Sequence, residues 1–503
     1  MYLCPRFLIT FLAILTVVAG CFVPAMAADD FVAVGTQKQL LVDDYVIAEK
    51  QNITREMGVV KKVGVVCEPS LESDFHPDFK KPAGSPVALA FGYYTSVVRN
   101  NKDDKFQMWY AGRIGVGYAE SKDGIHWTKP MVGKDGKSNI VLSDMGFSCN
   151  LDPSLPWGHS EKYKGAGDVK EEGCKVGISY SADGIHWNYY NDGKAVSYRA
   201  ADTHNQLLWD PITKTYRLLT RTDLGGIGGT SEIRSVRIMV HTAGNDLQNH
   251  PTAWKTVADK ICADDPRKEK NRWGSPRLQF NGMTNWIYEG VYFALMDVYT
   301  MDRSGLFDGY DYHTRHEEDF MDFYIGTSRD GVNFDKSWIH ARKPLVPRGP
   351  AGSFDKDGIK PPSQIITHND EHWIYYAGMD ERHYSRGRHL NIGLAKLRLD
   401  GFICLEAKDT PGTVLTKRFR IEGNRLEVNV QASAGIIQTE ILDEHGEMVP
   451  GFSGKEAPEY RAVDSLRLTP VWKNGRDLSS LVGKVVQIRF RLRNAKLYAF
   501  QIQ

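Results

Sequence analysis

Cysteine is scarce in this 503-residue chain: there are seven, and no two have C-x-x-C spacing. That argues against a zinc site and against a dense disulfide framework, and predicts mostly buried free thiols with at most one or two bridges. Charge of one sign is also lacking, with 63 basic against 62 acidic residues. Nothing in that balance calls for nucleic acid or an anionic membrane. Helical periodicity is nearly absent, and there is one long apolar run, 7–20. Arg6 is the sole charge in the first 28 residues, and Ala25-Met26-Ala27 has the small-x-small form of a signal peptidase site. The run is too short, with the wrong flanks, for a membrane span. Residues 1–27 therefore read as a signal peptide, whose removal leaves 62 basic and 62 acidic residues and five cysteines. Val18-Ala19-Gly20-Cys21 offers a lipobox alternative, with a lipid anchor at Cys21. On either reading the protein is exported, to the periplasm or the exterior.

What is present is repetition. SKDGIHW at 121–127 returns as SADGIHW at 181–187 and as SRDGVNF at 328–334. Asp-Gly between alternating apolar runs is a strong hairpin signal, because glycine accepts the positive φ that the turn requires. Ser and Asp side chains bond turn amides, and the aromatic that follows packs between sheets. Each heptad thus predicts the outer hairpin of a β-sheet unit, and Asp123, Asp183 and Asp330 are expected to be fold residues.

Five such units can be counted, starting near Pro82, Ile140, Asp202, Trp273 and Lys360, which predicts an all-β fold with a five-bladed β-propeller over 80–404. After about Leu405 the texture changes to strict alternation with Gly, Asn and Asp turns. That predicts a C-terminal antiparallel β-sandwich over 405–503. Residues 28–79 are expected to supply strands that brace the ring. Aromatics make up 11% of the chain, suiting both propeller blades and sugar-stacking surfaces.

The strings LLVDDYVIAE, MWYAGRIGVGYAESKDGIHWTKP, THNQLLWDP, HWIYYAG and GKVVQIRFRLRNAKLYAFQIQ resemble a group of exported bacterial proteins, common in planctomycetes and their relatives. These are related to glycoside hydrolase family 32 and, more loosely, to the five-bladed propeller glycosidases that include family 43. The resemblance covers nearly the whole mature chain and implies a carbohydrate substrate. Such a fold also accommodates an axial calcium or sodium ion, for which no motif is present here, and no other cofactor is implied. The heptad is similar to the Asp-box of sialidases, which normally has one more residue between Asp and Gly. Members of the clan carry an acid in the first inner strand, Arg-Asp-Pro in the second and Glu-Cys in the third. None of these occurs here, so the carboxylates must come from elsewhere, Glu68, Glu72, Asp74 and Asp78 among the alternatives.

Propeller glycosidases need two carboxylates facing the axis. In such a ring the site lies where the innermost strands are entered and where second strands pass to third. That filter selects Asp202 and Asp223 as catalytic acids. His204, Arg221, Asp297, Asp380, Arg382 and His383 are selected as substrate contacts, the arginines and histidines also suiting a sugar carboxylate or sulfate. Glu289 is rejected because IYEGVY reads as a turn on the opposite face. His313 and His316, beside Glu317, Glu318 and Asp319, read as a surface loop ahead of a metal site. The expected activity is hydrolysis of a polysaccharide or oligosaccharide, with a non-catalytic glycan-binding propeller or a polysaccharide lyase as alternatives.

Overall fold

The computed structural model of the chain describes residues 31–81, 83–169, 175–197, 203–224, 233–270, 276–300, 319–383 and 385–503. Among these the one α-helix is a single turn, Ser337–His340, and no helix is long and apolar enough to cross a membrane.

All three heptads fold into the same turn for the same chemical reason. The hydroxyl of Ser121, Ser181 or Ser328 donates to the aspartate Oδ1 at 3.0, 3.0 and 2.8 Å and accepts the glycine N–H at 2.9, 2.9 and 3.0 Å. That same Oδ1 accepts two more backbone N–H groups, from Ile125 and His126, Ile185 and His186, or Val332 and Asn333, all at 2.8 to 2.9 Å. Seven residues therefore satisfy one another locally. The glycine sits at φ of 73°, 79° or 69°, where a side chain would be strained.

The glycine carbonyl of the first two heptads accepts from the heptad's own Trp127 or Trp187 Nε1, at 3.2 and 2.9 Å, and in all three heptads it is also reached by the neighbouring sheet. Gly184 O accepts from Trp109 Nε1 at 2.7 Å, Gly124 O from the Tyr375 hydroxyl at 2.9 Å, and Gly331 O from the Arg217 guanidinium. Trp109 and Arg217 lie on the second strand of their sheets, and Tyr375 on Glu371–Met379. The repeated heptad is thus a bolt from one sheet to the next.

Three four-stranded antiparallel sheets follow in sequence. The first comprises Ser96–Asn100, Lys105–Ala111, Val116–Ser121 and Ile140–Leu142. Met145–Leu151, Tyr163–Val169, Lys175–Ser181 and Trp187–Tyr189 form the second. Gln206–Asp210, Thr215–Leu224, Ile233–His241 and Trp254–Ile261 form the third. An eight-stranded sheet then joins Leu278–Tyr288, Val291–Thr300 and Phe320–Ser328, through the short Gly358–Lys360, to Glu371–Met379 and Leu390–Arg398, with Ile366–His368 alongside. Its outermost strand, Lys61–Cys67, comes from the N-terminal segment and pairs with Leu390–Arg398.

Two details differ from the sequence reading. The first inner strand begins at Ser96, after the apolar stretch that precedes it, and Ile140–Leu142 completes the first sheet where it was expected to open the second. After the first heptad only Thr128 bridges back, to Glu120, because Pro130 has no N–H with which to extend a ladder. A later segment returns to fill the edge.

The first strands pack against one another in a closed circuit. Ser96–Asn100 touches Met145–Leu151, which touches Gln206–Asp210, which touches Leu278–Tyr288, and Ile366–His368, in the same eight-stranded sheet as Leu278–Tyr288, returns to Ser96–Asn100. The centre of the circuit is polar. Gln206 Nε2 donates to the carbonyls of Asn285 (2.9 Å) and Ser363 (2.8 Å), and its Oε1 accepts from Asn285 N–H at 2.6 Å. One buried amide so links two strands and the loop that carries Ser363, and its complete satisfaction is what makes a buried polar group tolerable.

A ten-stranded sheet follows, centred on the long strand Leu426–Asp443, which pairs with Glu459–Leu468, Val485–Arg493 and Ala495–Ile502. It encloses its own core, including Val428, Phe419, Trp472, Phe490 and Phe500. Three strands from 31–60, Gln39–Leu40, Ile47–Gln51 and Thr54–Met57, join this sheet, so most of the N-terminal segment pairs with the C-terminal strands and Lys61–Cys67 alone extends the circuit of sheets. Cys67, Cys149 and Cys404 are buried free thiols and Cys262 is a partly exposed one; Cys174 lies outside the described residues.

Candidate functional site

Antiparallel order puts the starts of first and third strands and the ends of second strands at one end of the circuit. Charged side chains from two sheets are buried there. Asp297, near the end of Val291–Thr300, receives Lys360 Nζ at 2.7 Å and Asn281 Nδ2 at 2.9 Å, both on Oδ2. The Asp297 and Lys360 side chains are each 3% exposed. Oδ1 of Asp297 is buried as well, and accepts no hydrogen bond from a described residue. Arg221 and Arg234, from the third sheet, each direct Nη1 to Asn281 Oδ1, at 3.2 and 3.3 Å. Asn281 is aimed between guanidinium and carboxylate by a register shift between Phe280 and Gly282. Burial pulls the Lys360 ammonium down from its usual range, opposed by Asp297 and reinforced by Arg221 and Arg234.

Lys360 also lies 5.3 Å from the centre of the Tyr93 ring. Tyr93 OH is 3.2 Å from His383 Nδ1, and the His383 N–H donates to the Asp319 carbonyl at 3.3 Å. Tyr299, two residues beyond Asp297 and so on the same face of the strand, donates its hydroxyl to Asp319 Oδ1 at 2.5 Å. On the other side His204 Nε2 is 2.8 Å from Ser363 Oγ, which meets Ser96 Oγ, which accepts Cys149 N–H at 2.9 Å. Four sheets contribute to that chain of contacts.

Of the residues selected from sequence, His204, Arg221, Asp297 and His383 converge on this floor. Asp380 is engaged otherwise: Lys81 and the His389 N–H (2.7 Å) bind its carboxylate, and Lys356 binds its carbonyl. Arg382 is buried. Asp202 lies outside the described residues, and of Asp223 the structure describes the backbone, which pairs with Arg234. The histidines His313 and His316 with Glu317 and Glu318 also lie outside. Among the described residues no group of three or more His, Cys, Asp or Glu is arranged to hold a metal ion. Glu289 occupies the tight turn between Leu278–Tyr288 and Val291–Thr300, 3.7 Å from Lys38. Asp74 is held by Lys129 at 2.8 Å and by the N–H groups of Ser70 and Leu71, a local structural role. A search for acids passed over Lys360, Asn281, Tyr93 and Arg234. Lys360 stood in an entry segment, DKDGIKPPSQ, and its buried position was the signal that a one-dimensional reading lacked.

The buried histidines predict a pH response. Burial, helped by Lys360, takes His204 down to about 3, and burial takes His372 down to about 4 against the opposing pull of Asp400. Both stay neutral in the folded protein while the unfolded chain takes up protons near pH 6.5. A depressed folded pKa contributes stability present above 6.5 and lost as pH falls towards the folded value. Each is therefore expected to remove about 2 kcal/mol between pH 7 and pH 5. Denaturant midpoints across that range check this: His204→Asn should flatten the profile, and an unchanged slope would count against a neutral, buried His204.

No protein-family model matches this chain, and neither does any curated protein sequence. Solved structures of carbohydrate-active proteins resemble it at a distance. An N-acetylgalactosamine deacetylase from F. plautii is 12% identical, covering 70% of this chain and 97% of its own, with a TM-score of 0.41. A family 117 glycoside hydrolase from the marine bacterium Zobellia galactanivorans is 12% identical over 68% and 91%, with a TM-score of 0.38. The GH32 β-fructofuranosidase of Bombyx mori is 10% identical over 82% and 90%, with a TM-score of 0.32. Likeness at that level leaves the chemistry to be read from the residues themselves.

Proposed function

We propose that this protein is an exported glycoside hydrolase, a five-bladed β-propeller with an appended β-sandwich, acting on an oligosaccharide or polysaccharide. The observation that carries the reading is Asp297. Lys360 and Asn281 occupy one of its oxygens, and the other is uncommitted among the described residues, on a floor built by several sheets. Buried charges are costly and gather where chemistry needs them. A carboxylate so held suits the base or nucleophile of glycosidic cleavage, and a second acid must protonate the leaving oxygen. Asp202, Asp223 and Asp319 are the acids from which that partner is drawn, Asp319 being joined to the same face through Tyr299.

The test is reducing-end release by the mature chain on neutral and anionic glycans, beside Asp202→Asn, Asp223→Asn, Asp297→Asn and Asp319→Asn. Asp297→Asn and one of the other three are expected to lose at least about 100-fold in turnover, the partner variant with unfolding unchanged. Glycan binding without release in the wild type would make this a binding propeller. Products absorbing in the ultraviolet would make it a lyase.

A further inference from the structure

Between the N-terminal segment and the third heptad lies a cavity of about 700 Å³, within the roughly 300–1,000 Å³ range of small-molecule sites. Asp43, Asp44 and Arg55 line one side, and Thr327, Arg329 and Trp338 the other. It is separate from the buried floor. Asp297 pairs with Phe323, and Thr327 lies four residues further along the same strand, about 13 Å towards the opposite end of the circuit. A fork joins the two sides, Arg329 giving Nε to Asp43 Oδ2 at 2.8 Å and Nη2 to Oδ1 at 3.0 Å. Such a bidentate pair fixes the shape of the opening.

Donors on these walls are left over. Trp338 is 7% exposed, and its buried Nε1 meets no acceptor among the described residues. Arg55 gives Nη2 to Asp44 Oδ1 at 2.6 Å, and its buried Nε likewise meets none. A buried N–H without an acceptor is a cost that a purely structural corner has no reason to carry. An acceptor is left as well. Asp44 receives Lys50 and Arg55, both at 2.6 Å, on Oδ1 alone, and its side chain is 54% exposed, so Oδ2 is open to a further donor. A group that both accepts and donates completes the set, and a sugar hydroxyl does so.

Charge and aromatic surface agree with that reading. Three acids, Asp43, Asp44 and Asp335, stand against two arginines, Arg55 and Arg329, and each arginine already holds one of those acids. A carboxylate or sulfate would meet a net negative wall, whereas a neutral sugar meets hydrogen-bonding groups. Tyr45, next to Asp44 in the chain, is 40% exposed, with the Arg329 guanidinium 4.5 Å from the centre of its ring. The cation holds the ring in place at the rim, and an exposed aromatic face so held suits the apolar face of a sugar.

We infer that this cavity is a second glycan site, which binds a neutral oligosaccharide without cleaving it. The inference goes beyond the hydrolase reading and shares with it the class of ligand. Fluorine NMR on the mature chain labelled with 5-fluorotryptophan tests it, the Trp338 signal being the one missing from Trp338→Phe. Cellotetraose, xylotetraose, mannotetraose and β-1,4-galactotetraose are the neutral probes, and tetragalacturonate is the anionic one. At least one neutral probe is expected to move the Trp338 signal saturably, with a midpoint about tenfold higher in Tyr45→Ala. Tetragalacturonate should need at least about tenfold more than that neutral probe. The exposure of Tyr45 means that its removal should leave folding intact. Should Trp338→Phe unfold, calorimetric affinity for the same probes in the wild type and Tyr45→Ala decides the matter. No response to any neutral probe, a midpoint unchanged in Tyr45→Ala, or tetragalacturonate binding as tightly would overturn the site. Reducing-end release without such a response overturns the site alone. A Tyr45-dependent response without release from any glycan upholds it and overturns the hydrolase reading.

Discussion

Replacing Lys360 by Met is expected to destabilise the protein by about 3–5 kcal/mol, measured as a fall in the denaturant midpoint at constant m. Lys360 and Asp297 are 2.7 Å apart and nearly sealed from water. Without the ammonium, the carboxylate keeps Asn281 as its one described partner in surroundings that cannot solvate it. Adding Asp297→Asn to Lys360→Met should recover much of the loss, because the orphaned charge is gone, and a double-mutant cycle reads the coupling directly. On the proposed function all three variants lose turnover, including the double variant whose stability has returned. That separation distinguishes a chemical role of the pair from a purely structural one. A cost below about 1 kcal/mol for Lys360→Met would mean that the pair is solvated as a surface pair is, and that the floor is open.

Trp109→Ala is the second large effect, expected at about 3–5 kcal/mol for a fully buried indole. Trp109 is 0% exposed, packs against Tyr118, Tyr163 and Trp187, and donates Nε1 to Gly184 O at 2.7 Å. Trp109→Phe should keep most of the packing and lose about 0.5–1.5 kcal/mol for the one hydrogen bond, since Gly184 O still accepts from Trp187 Nε1 at 2.9 Å. Gly184→Ala attacks the same joint from the other side. A Cβ there would lie 2.4 Å from Trp109 Cζ2, and φ is 79°, so about 2 kcal/mol or more is expected from overpacking and backbone strain together. The two changes should be non-additive, since Gly184→Ala loses its clash once the ring is gone. Strict additivity in thermal unfolding would mean that the heptad does not couple the first sheet to the second.

Proximity was partly legible. Entry segments and passages from second to third strands point to one end of the circuit, and His204, Arg221, Asp297 and His383, chosen by that filter, lie near one another there. Pairing between charges was not legible. Asp297 and Lys360 lie 63 residues apart, and nothing local to either announces the other. Asp380 looked equivalent to Asp297 by strand position, yet Lys81 from far upstream occupies it.

The sequence by itself determined the repeated unit. Serine, aspartate and glycine within seven residues complete one another's hydrogen bonds, and local satisfaction needs no partner from elsewhere. Strand alternation in 405–503 was determined in the same way. Only the tertiary structure decided which sheet each glycine carbonyl is bolted to, and that Lys61–Cys67 closes against Leu390–Arg398 while its upstream neighbours join the C-terminal sheet. The same holds for the buried floor. A charge buried away from water must find its partner wherever the closed circuit brings one, and that partner is set by the geometry of closure, to which the residues adjacent in the chain contribute nothing.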